Sequence, residues 1–194
     1  PTCIAYNPET NINYEFGFKG DLLDGVLRLN ASVFYTDFED LQRNQVFRFI
    51  DPLSGVEGQE TITLNAGESN STGVEIETTW LATENLTIKG SIGYLDASYD
   101  EFEFEGVDLS SLDIPFASEV QVGAQATYIQ TLTSGATITY YLAAHYQDEA
   151  EMSPFDPNAV GGNTARHPTY TQLESRTLVD LNVTYTDPDS RYYA

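Results

Sequence analysis

A chain of 194 residues, 41% hydrophobic and 20% charged, has enough apolar surface to bury and excludes disorder as its main state. A formal net charge of -22, from 30 acids against 8 bases, excludes nucleic acid as a partner, because phosphate would be repelled, and leaves cationic ligands or cation-bridged anions compatible. Cys3 is the single cysteine, so there is no internal disulfide and no CxxC-type zinc pattern; no apolar run reaches the ~20 residues of a membrane helix, but a barrel strand needs only ~9–11 with one apolar face.

Period-two alternation dominates the chain and predicts strands near 10–20, 25–50, 60–80, 86–104, 116–132, 136–149 and 174–186, with an eighth starting at Tyr192. The first is the weakest, with Ile12, Tyr14, Phe16 and Phe18 on one face. The second is clear: Leu27, Leu29, Ala31, Val33 and Tyr35 oppose Arg28, Asn30, Ser32, Phe34 and Thr36. Val74, Ile76, Thr78 and Trp80 follow. Leu86, Ile88, Gly90, Ile92 and Tyr94 then oppose Thr87, Lys89, Ser91 and Gly93. The last three strands set Val120, Val122, Ala124, Ala126 and Tyr128, then Ile138, Tyr140, Leu142, Ala144 and Tyr146, then Val179, Leu181, Val183 and Tyr185 on their apolar sides. Each has one apolar and one polar face, the pattern of a wall between hydrocarbon and water.

The connections alternate in length. Short turns fall near Asp21–Gly25, Ala82–Asn85, Thr133–Gly135 and Asp187–Ser190, and long polar stretches at Asp51–Gln59, Glu105–Asp113 and Glu151–Glu174. Strands leaving a short turn end their apolar face in Tyr with Asp two residues later: Tyr35 and Asp37, Tyr94 and Asp96, Tyr146 and Asp148. Strands arriving at a short turn end in Trp80, Tyr128 or Tyr185. Two aromatic belts bounding one apolar band are expected of a membrane barrel, because Tyr and Trp join an apolar ring to a polar tip. A soluble sandwich has no need of aromatics at both edges of every apolar face.

The polar faces place charges where they can pair. A hairpin closed at Ala82–Asn85 is expected to set Glu77 opposite Lys89, and Lys19 and Arg28 become neighbours with Asp21 and Asp24 close by. Seven strands and part of an eighth do not close a bacterial barrel, which has an even number. The opening residues hold no charged-then-apolar signal segment, and the chain stops at Arg191-Tyr192-Tyr193-Ala194 as a strand starts. Residues 1–194 are therefore expected to be part of the wall of a larger all-β, antiparallel up-and-down transmembrane barrel.

The motifs resemble a known family. Asn7-Pro8-Glu9-Thr10 followed by Asn13-Tyr14-Glu15-Phe16-Gly17-Phe18-Lys19-Gly20 resembles the "PET…NYE.G.KG" barrel signature of TonB-dependent outer-membrane receptors. Leu29–Gln42 is similar to that family's next strand, Asn65-Ala66-Gly67 with Gly73-Val74-Glu75-Ile76-Glu77 to its "NAG…GVE.E" strand, and Leu86–Ala97 to the one after. The resemblance implies a 22-stranded barrel in the outer membrane of a Gram-negative bacterium, plugged by an N-terminal domain, powered through TonB and importing a scarce ligand such as a ferric siderophore. The plug domain, TonB box and closing C-terminal strand are not in this chain. Ligand contacts in the family come from plug apices and variable loops, so no ligand-binding residue is transferred.

The remaining candidates for chemistry are modest. Asp96, Asp100, Glu101, Glu103, Glu105, Asp108 and Asp113 form an acidic run; calcium takes several such oxygens, but no EF-hand spacing is present and a solvated loop is expected. His145 and His167, far apart in sequence, are read as ordinary polar residues rather than haem or metal ligands. The stretch Glu151–Glu174, with Met152, Phe155, Arg166, His167 and Tyr170, is a hypothetical ligand-contact loop at the barrel mouth. No nucleophile elbow, phosphate loop or HExxH pattern occurs, so no catalytic residue, cofactor or metal site is assigned and an enzyme is not expected. The sequons at Asn30, Asn70, Asn85 and Asn182 are discounted, three of them falling inside expected strands. The alternatives to energy-coupled uptake are a passive porin, without a plug, and a secreted soluble β-sandwich adhesin.

Overall fold

The computed structural model describes residues 6–53, 55–65, 67–104, 107–152 and 172–189. Among these described residues twelve strands form in chain order: β1 (Thr10–Leu22), β2 (Leu27–Glu39), β3 (Gln42–Ile50), β4 (Glu57–Asn65), β5 (Gly67–Thr83), β6 (Leu86–Phe104), β7 (Val107–Asp108), β8 (Val120–Thr131), β9 (Thr137–Gln147), β10 (Ala150–Glu151), β11 (Gln172–Leu173) and β12 (Arg176–Thr186). Seven of them make one antiparallel meander in the order β1-β2-β5-β6-β8-β9-β12, with β7 paired to the upper end of β6. The pairs β3-β4 and β10-β11 are separate two-stranded sheets, built within the long connections. The expected eighth strand at Tyr192 lies outside the described residues.

The short turns are built for tight reversal. Leu23, Asp24 and Gly25 all take positive φ (52°, 55° and 86°), the twist that suits a hairpin between right-twisted strands. The β8–β9 turn uses Gly135 at φ 85°. At β5–β6 only Glu84 and Asn85 separate the paired residues Thr83 and Leu86, and the register shifts between Leu81 and Thr83. The Thr83 hydroxyl oxygen accepts from the backbone N–H of Asn85 and of Leu86, at 3.2 and 3.0 Å.

Two expected strands are broken. Alternation from 25 to 50 and from 60 to 80 predicts continuous strands, but β2 ends at Glu39 and β3 begins at Gln42, with Asp40 between them at φ 55°. On the partner side β5 starts at Gly67, φ 143°, where a Cβ would stand 1.7 Å from the Glu101 carbonyl oxygen. The main sheet stops there and a β3-β4 hairpin continues. The Asn65 side chain ties its base: Nδ2 donates to the carbonyls of Asp40 (2.6 Å) and Asn7 (3.1 Å), and Oδ1 accepts from the Asn7 N–H (2.7 Å). The strand expected from 116 starts only at Val120, because the residues before it fold elsewhere.

The apolar side chains occupy one side of the meander. One ladder row reads Phe18, Ala31, Ile76, Ile92, Val122 and Tyr146 from β1 to β9. No second sheet covers this side among the described residues: Phe16 is 78% exposed, Ile92 52% and Leu181 74%. Leu29, Ile88 and Val122 are half-buried by their own neighbours. A sandwich would bury all of these between stacked sheets, so the sandwich reading fails on packing.

The aromatic belts reveal the tilt. Tyr14 and Tyr35 share a ladder row with Thr72; Tyr94 sits one apolar-face row lower, level with Val33 and Val74; Tyr146 sits lower again, level with Val122 and Ile92. At the other end Trp80 shares a row with Leu142, Tyr128 and Tyr140 pair one row below, and Tyr185 lies below Val183, the Tyr140 partner. Each step is two residues over two strands, a slip of one residue per strand in both belts. With a rise of ~3.3 Å per residue and ~4.8 Å between strands, level belts require strands tilted by roughly 35° from the normal to the belts. That is the tilt of membrane-spanning barrel strands, ~35–45°. The belts then stand roughly 20 Å apart along that normal.

The buried core lies at the long-connection end. Leu41, Tyr99, Phe102 and Leu109 are its centre, with Phe38, Leu112 and Ile114 packed against it.

Candidate functional site: the polar wall and its rim

The polar face is the chemically varied surface. Its rows include Asp21-Arg28-Thr79-Lys89-Gln125 and Lys19-Asn30-Glu77-Ser91-Gly123-His145. Arg28 Nε and Nη2 donate to the two carboxylate oxygens of Asp21, at 2.8 and 3.2 Å, so the cluster expected at the first turn forms, with Lys19 one row away. The expected Glu77–Lys89 opposition does not form. Glu77 faces Ser91 and Lys89 faces Thr79, because the turn is only Glu84-Asn85 and the irregularity at Leu81–Thr83 shifts the register. The two residues keep the same face and line one shallow hollow of about 420 Å³ with Ser91, Gly123 and Gln125. A second hollow of about 340 Å³ lies between Glu15, Lys19, Asn30, Glu75 and Glu77; Asn30 Nδ2 donates to Glu77 Oε2 at 3.4 Å. Water-exposed carboxylates, amides and ammonium groups in such open hollows suit contact with a polar partner. They offer no acid–base pair around an enclosed space.

The acidic run does not converge. Asp96 and Asp100 belong to the apolar side, above the upper tyrosines, and Asn70 Nδ2 donates to both Asp100 oxygens at 2.7 and 2.8 Å. Glu101 and Glu103 line a rim crevice with Glu39, Asp40 and Glu68, and Asp96 and Asp113 line another with Glu119, Asp148 and Glu149. The Ser110 hydroxyl and backbone N–H, the latter at 3.0 Å, both donate to Asp108 Oδ1; these bonds hold the Asp108 carboxyl below its ordinary value of 3.8. Glu105 lies outside the described residues. Among the described residues no three His, Cys, Asp or Glu side chains are grouped to hold a metal ion.

His145 is exposed on the polar face, in the ladder row of Gly123. His167, Phe155, Arg166 and Tyr170 lie outside the described residues, as does most of the expected ligand-contact loop. In the upper belt the Tyr146 hydroxyl donates to Asp148 Oδ1 at 3.1 Å. Sequence reasoning missed two features of the rim. One is the Asn65 clamp. The other is the segment after β7, which reads as a solvated acidic loop but places Leu109, Leu112 and Ile114 in the buried core. The available signal was three apolar residues that follow no strand period.

A two-faced antiparallel meander whose tilted strands carry level belts is the kind of sheet that makes part of a membrane β-barrel wall. The family model described as TonB dependent receptor-like, beta-barrel, matches residues 4–192, and the chain belongs to that family, of the bacterial outer membrane. It is 30% identical over 139 residues to the metal-pseudopaline receptor CntO of Pseudomonas aeruginosa, covering 70% of this chain and 18% of that protein. It is 27% identical over 173 residues to the pesticin receptor of Yersinia enterocolitica, covering 86% of this chain and 21% of the relative. In fold it is similar to the ferric yersiniabactin uptake receptor FyuA from Yersinia pestis, with a TM-score of 0.64 at 17% identity over 91% of this chain and 22% of that one. The chain thus spans about a fifth of the length of the curated relatives it matches.

Proposed function

We propose that the chain forms part of the wall of a closed, 22-stranded outer-membrane barrel that imports a scarce ligand by energy-coupled, TonB-dependent transport, and that the ligand is an iron–siderophore complex. The apolar face contacts outer-membrane lipid. The polar face meets an N-terminal plug domain, whose surface the open hollows around Glu77 and Lys89 suit. The long connections at the rim face the outside and meet the extracellular ligand first. The role is transport and reception, with no catalytic step. The observation that carries this reading is the pairing of an uncovered apolar face with one-residue-per-strand belts, in a chain whose family match runs almost end to end. The names of the relatives, a metal-pseudopaline receptor and a ferric yersiniabactin uptake receptor, favour a metal chelate as cargo.

The test is deletion of the gene that encodes the chain, followed by uptake of radioactive iron presented on a panel of siderophores. Uptake of at least one complex should fall to background, return on complementation, and vanish equally when TonB is removed. Intact uptake of every siderophore complex, and of cobalamin and haem, would sink the proposal.

A further inference from the structure

The buried core sits on the polar side of the sheet. Phe38 is on the same face of β2 as Arg28, and Tyr99 on the same face of β6 as Lys89, since neither pairing shifts register between those positions. Phe38, Ser69 and Tyr99 form one ladder row across β2, β5 and β6. Ser69 is only 3% exposed and Tyr99 5%, in a row that the sheet alone would leave open to water. Over Tyr99 lies the segment 109–114: Leu109, 5% exposed, is buried with Leu41, Tyr99 and Phe102, Leu112 and Ile114 pack on the same cluster, and Ser69 is the ladder partner of Tyr99 beneath it. The segment is pinned to the sheet at its start, turns on itself, and is held again just beyond its end. Leu109 N–H donates to the Phe102 carbonyl at 2.6 Å, Leu112 N–H to Leu109 at 3.0 Å, and Phe116 N–H to Glu151 at 2.7 Å. Asp108 fixes the turn that launches it.

We propose that residues 109–114 are a fixed inward shelf: a permanent roof over the upper polar wall of β2, β5 and β6, which narrows the mouth from this side so that anything descending into the lumen passes beside it. Four apolar side chains of the wall, Phe38, Leu41, Tyr99 and Phe102, pack with its own Leu109, Leu112 and Ile114 on a surface otherwise polar, and burial of that kind favours one stable position over a swinging lid. The word "lumen" rests on the transport reading above; the position and rigidity of the shelf do not.

The test uses Ser69→Cys in the full-length receptor on intact cells, in a background without other reactive cysteines (Cys3→Ser included). Leu53→Cys, at the 96% exposed tip of the β3-β4 turn, reports that the receptor is assembled at the surface. A water-soluble maleimide should label Leu53→Cys readily and Ser69→Cys slower by a factor of roughly ten or more, the slowing set by the rarity of local opening. Adding Leu109→Asp, or replacing 109–114 by a Gly/Ser stretch, should bring Ser69→Cys labelling up towards the Leu53→Cys rate while Leu53→Cys is unchanged. The rate at Ser69→Cys should also be the same in energised cells and in cells treated with a protonophore. Fast labelling of Ser69→Cys with 109–114 intact would overturn the shelf, and a rate that depends on energisation would overturn its fixity. Neither outcome touches the uptake assay, so the two readings fail separately.

Discussion

The ring of Phe34 lies over Gly73 on the neighbouring strand: a Cβ at Gly73 would stand 2.3 Å from Phe34 Cζ and 2.9 Å from the Tyr94 carbonyl oxygen. This accounts for a large apolar residue in the middle of the polar face of β2, well below Phe38 at the rim. The ring covers a backbone with no side chain of its own, and in doing so it holds β2 to β5.

Gly73→Ala should therefore push the ring off and strain β5 against β6, at a cost of about 1–3 kcal/mol by overpacking. Phe34→Ala should cost less, and the two together should cost less than their sum, because the double variant has no ring left to clash. Urea unfolding of the receptor refolded into lipid vesicles measures all three. Strict additivity would show that the contact carries no energy.

Adjacent residues on β6 test which side meets lipid. Ile92 lies between the belts on the apolar face and Ser91 on the polar face. Ile92→Arg should destabilise the refolded receptor by about 2–4 kcal/mol, as for a cation facing the mid-bilayer, whereas Ser91→Arg should be close to neutral. Equal effects at the two positions would mean that the faces have been assigned wrongly.

Gly67 is irreplaceable for two reasons, a φ of 143° and a carbonyl 1.7 Å from where a Cβ would be. Its own carbonyl accepts the Leu41 N–H at 2.8 Å. Gly67→Ala should cost about 3 kcal/mol or more locally and release the base of the β3-β4 hairpin. The expected readout is new cleavage within 40–66 by protease added to intact cells, with the rest of the receptor undigested. Wild-type resistance in this variant would contradict the structure.

The Asp108–Ser110 turn has a pH signature. Its hydrogen bonds hold the carboxyl below 3.8 in the folded chain, so the folded state binds that proton less readily than the unfolded one. The contribution is present above the ordinary carboxylate range and is lost as pH falls through the depressed folded value. The Ser110 amide resonance should titrate with a midpoint below 3.8, and Asp108→Ala should abolish that titration and speed exchange at Leu109. A midpoint at or above the ordinary value would rule out the bond to the charged carboxylate.

Much of this wall was legible in the sequence, because lipid and water impose their demands on every strand separately. Leu27 to Tyr35 shows two faces and a belt with no knowledge of its neighbours, and the order of strands follows from short turns. What could not be read depends on single residues or on distant contacts. Alternation runs through Asp40 and Gly67, so nothing in the period marks where the main sheet ends. One irregularity at Leu81–Thr83 decides whether Lys89 meets Trp80 or Thr79. Leu109, Leu112 and Ile114 gain meaning only from Phe38 and Tyr99, on strands far away in the chain. The candidate site was less legible than the fold for the same reason: the rim is made by such contacts.

The slip of one residue per strand turns the ladder into a ramp. Lys19 and His145 belong to one continuous row of partners, yet five strand-to-strand steps at roughly 35° raise one above the other by about 14 Å. Lys19 stands near the short-turn end of the wall and His145 near the long-connection end. In the proposed barrel, a solute moving through would therefore meet Gly123, Ser91, Glu77 and Asn30 in succession, as on a spiral stair, and never as a ring at a single depth.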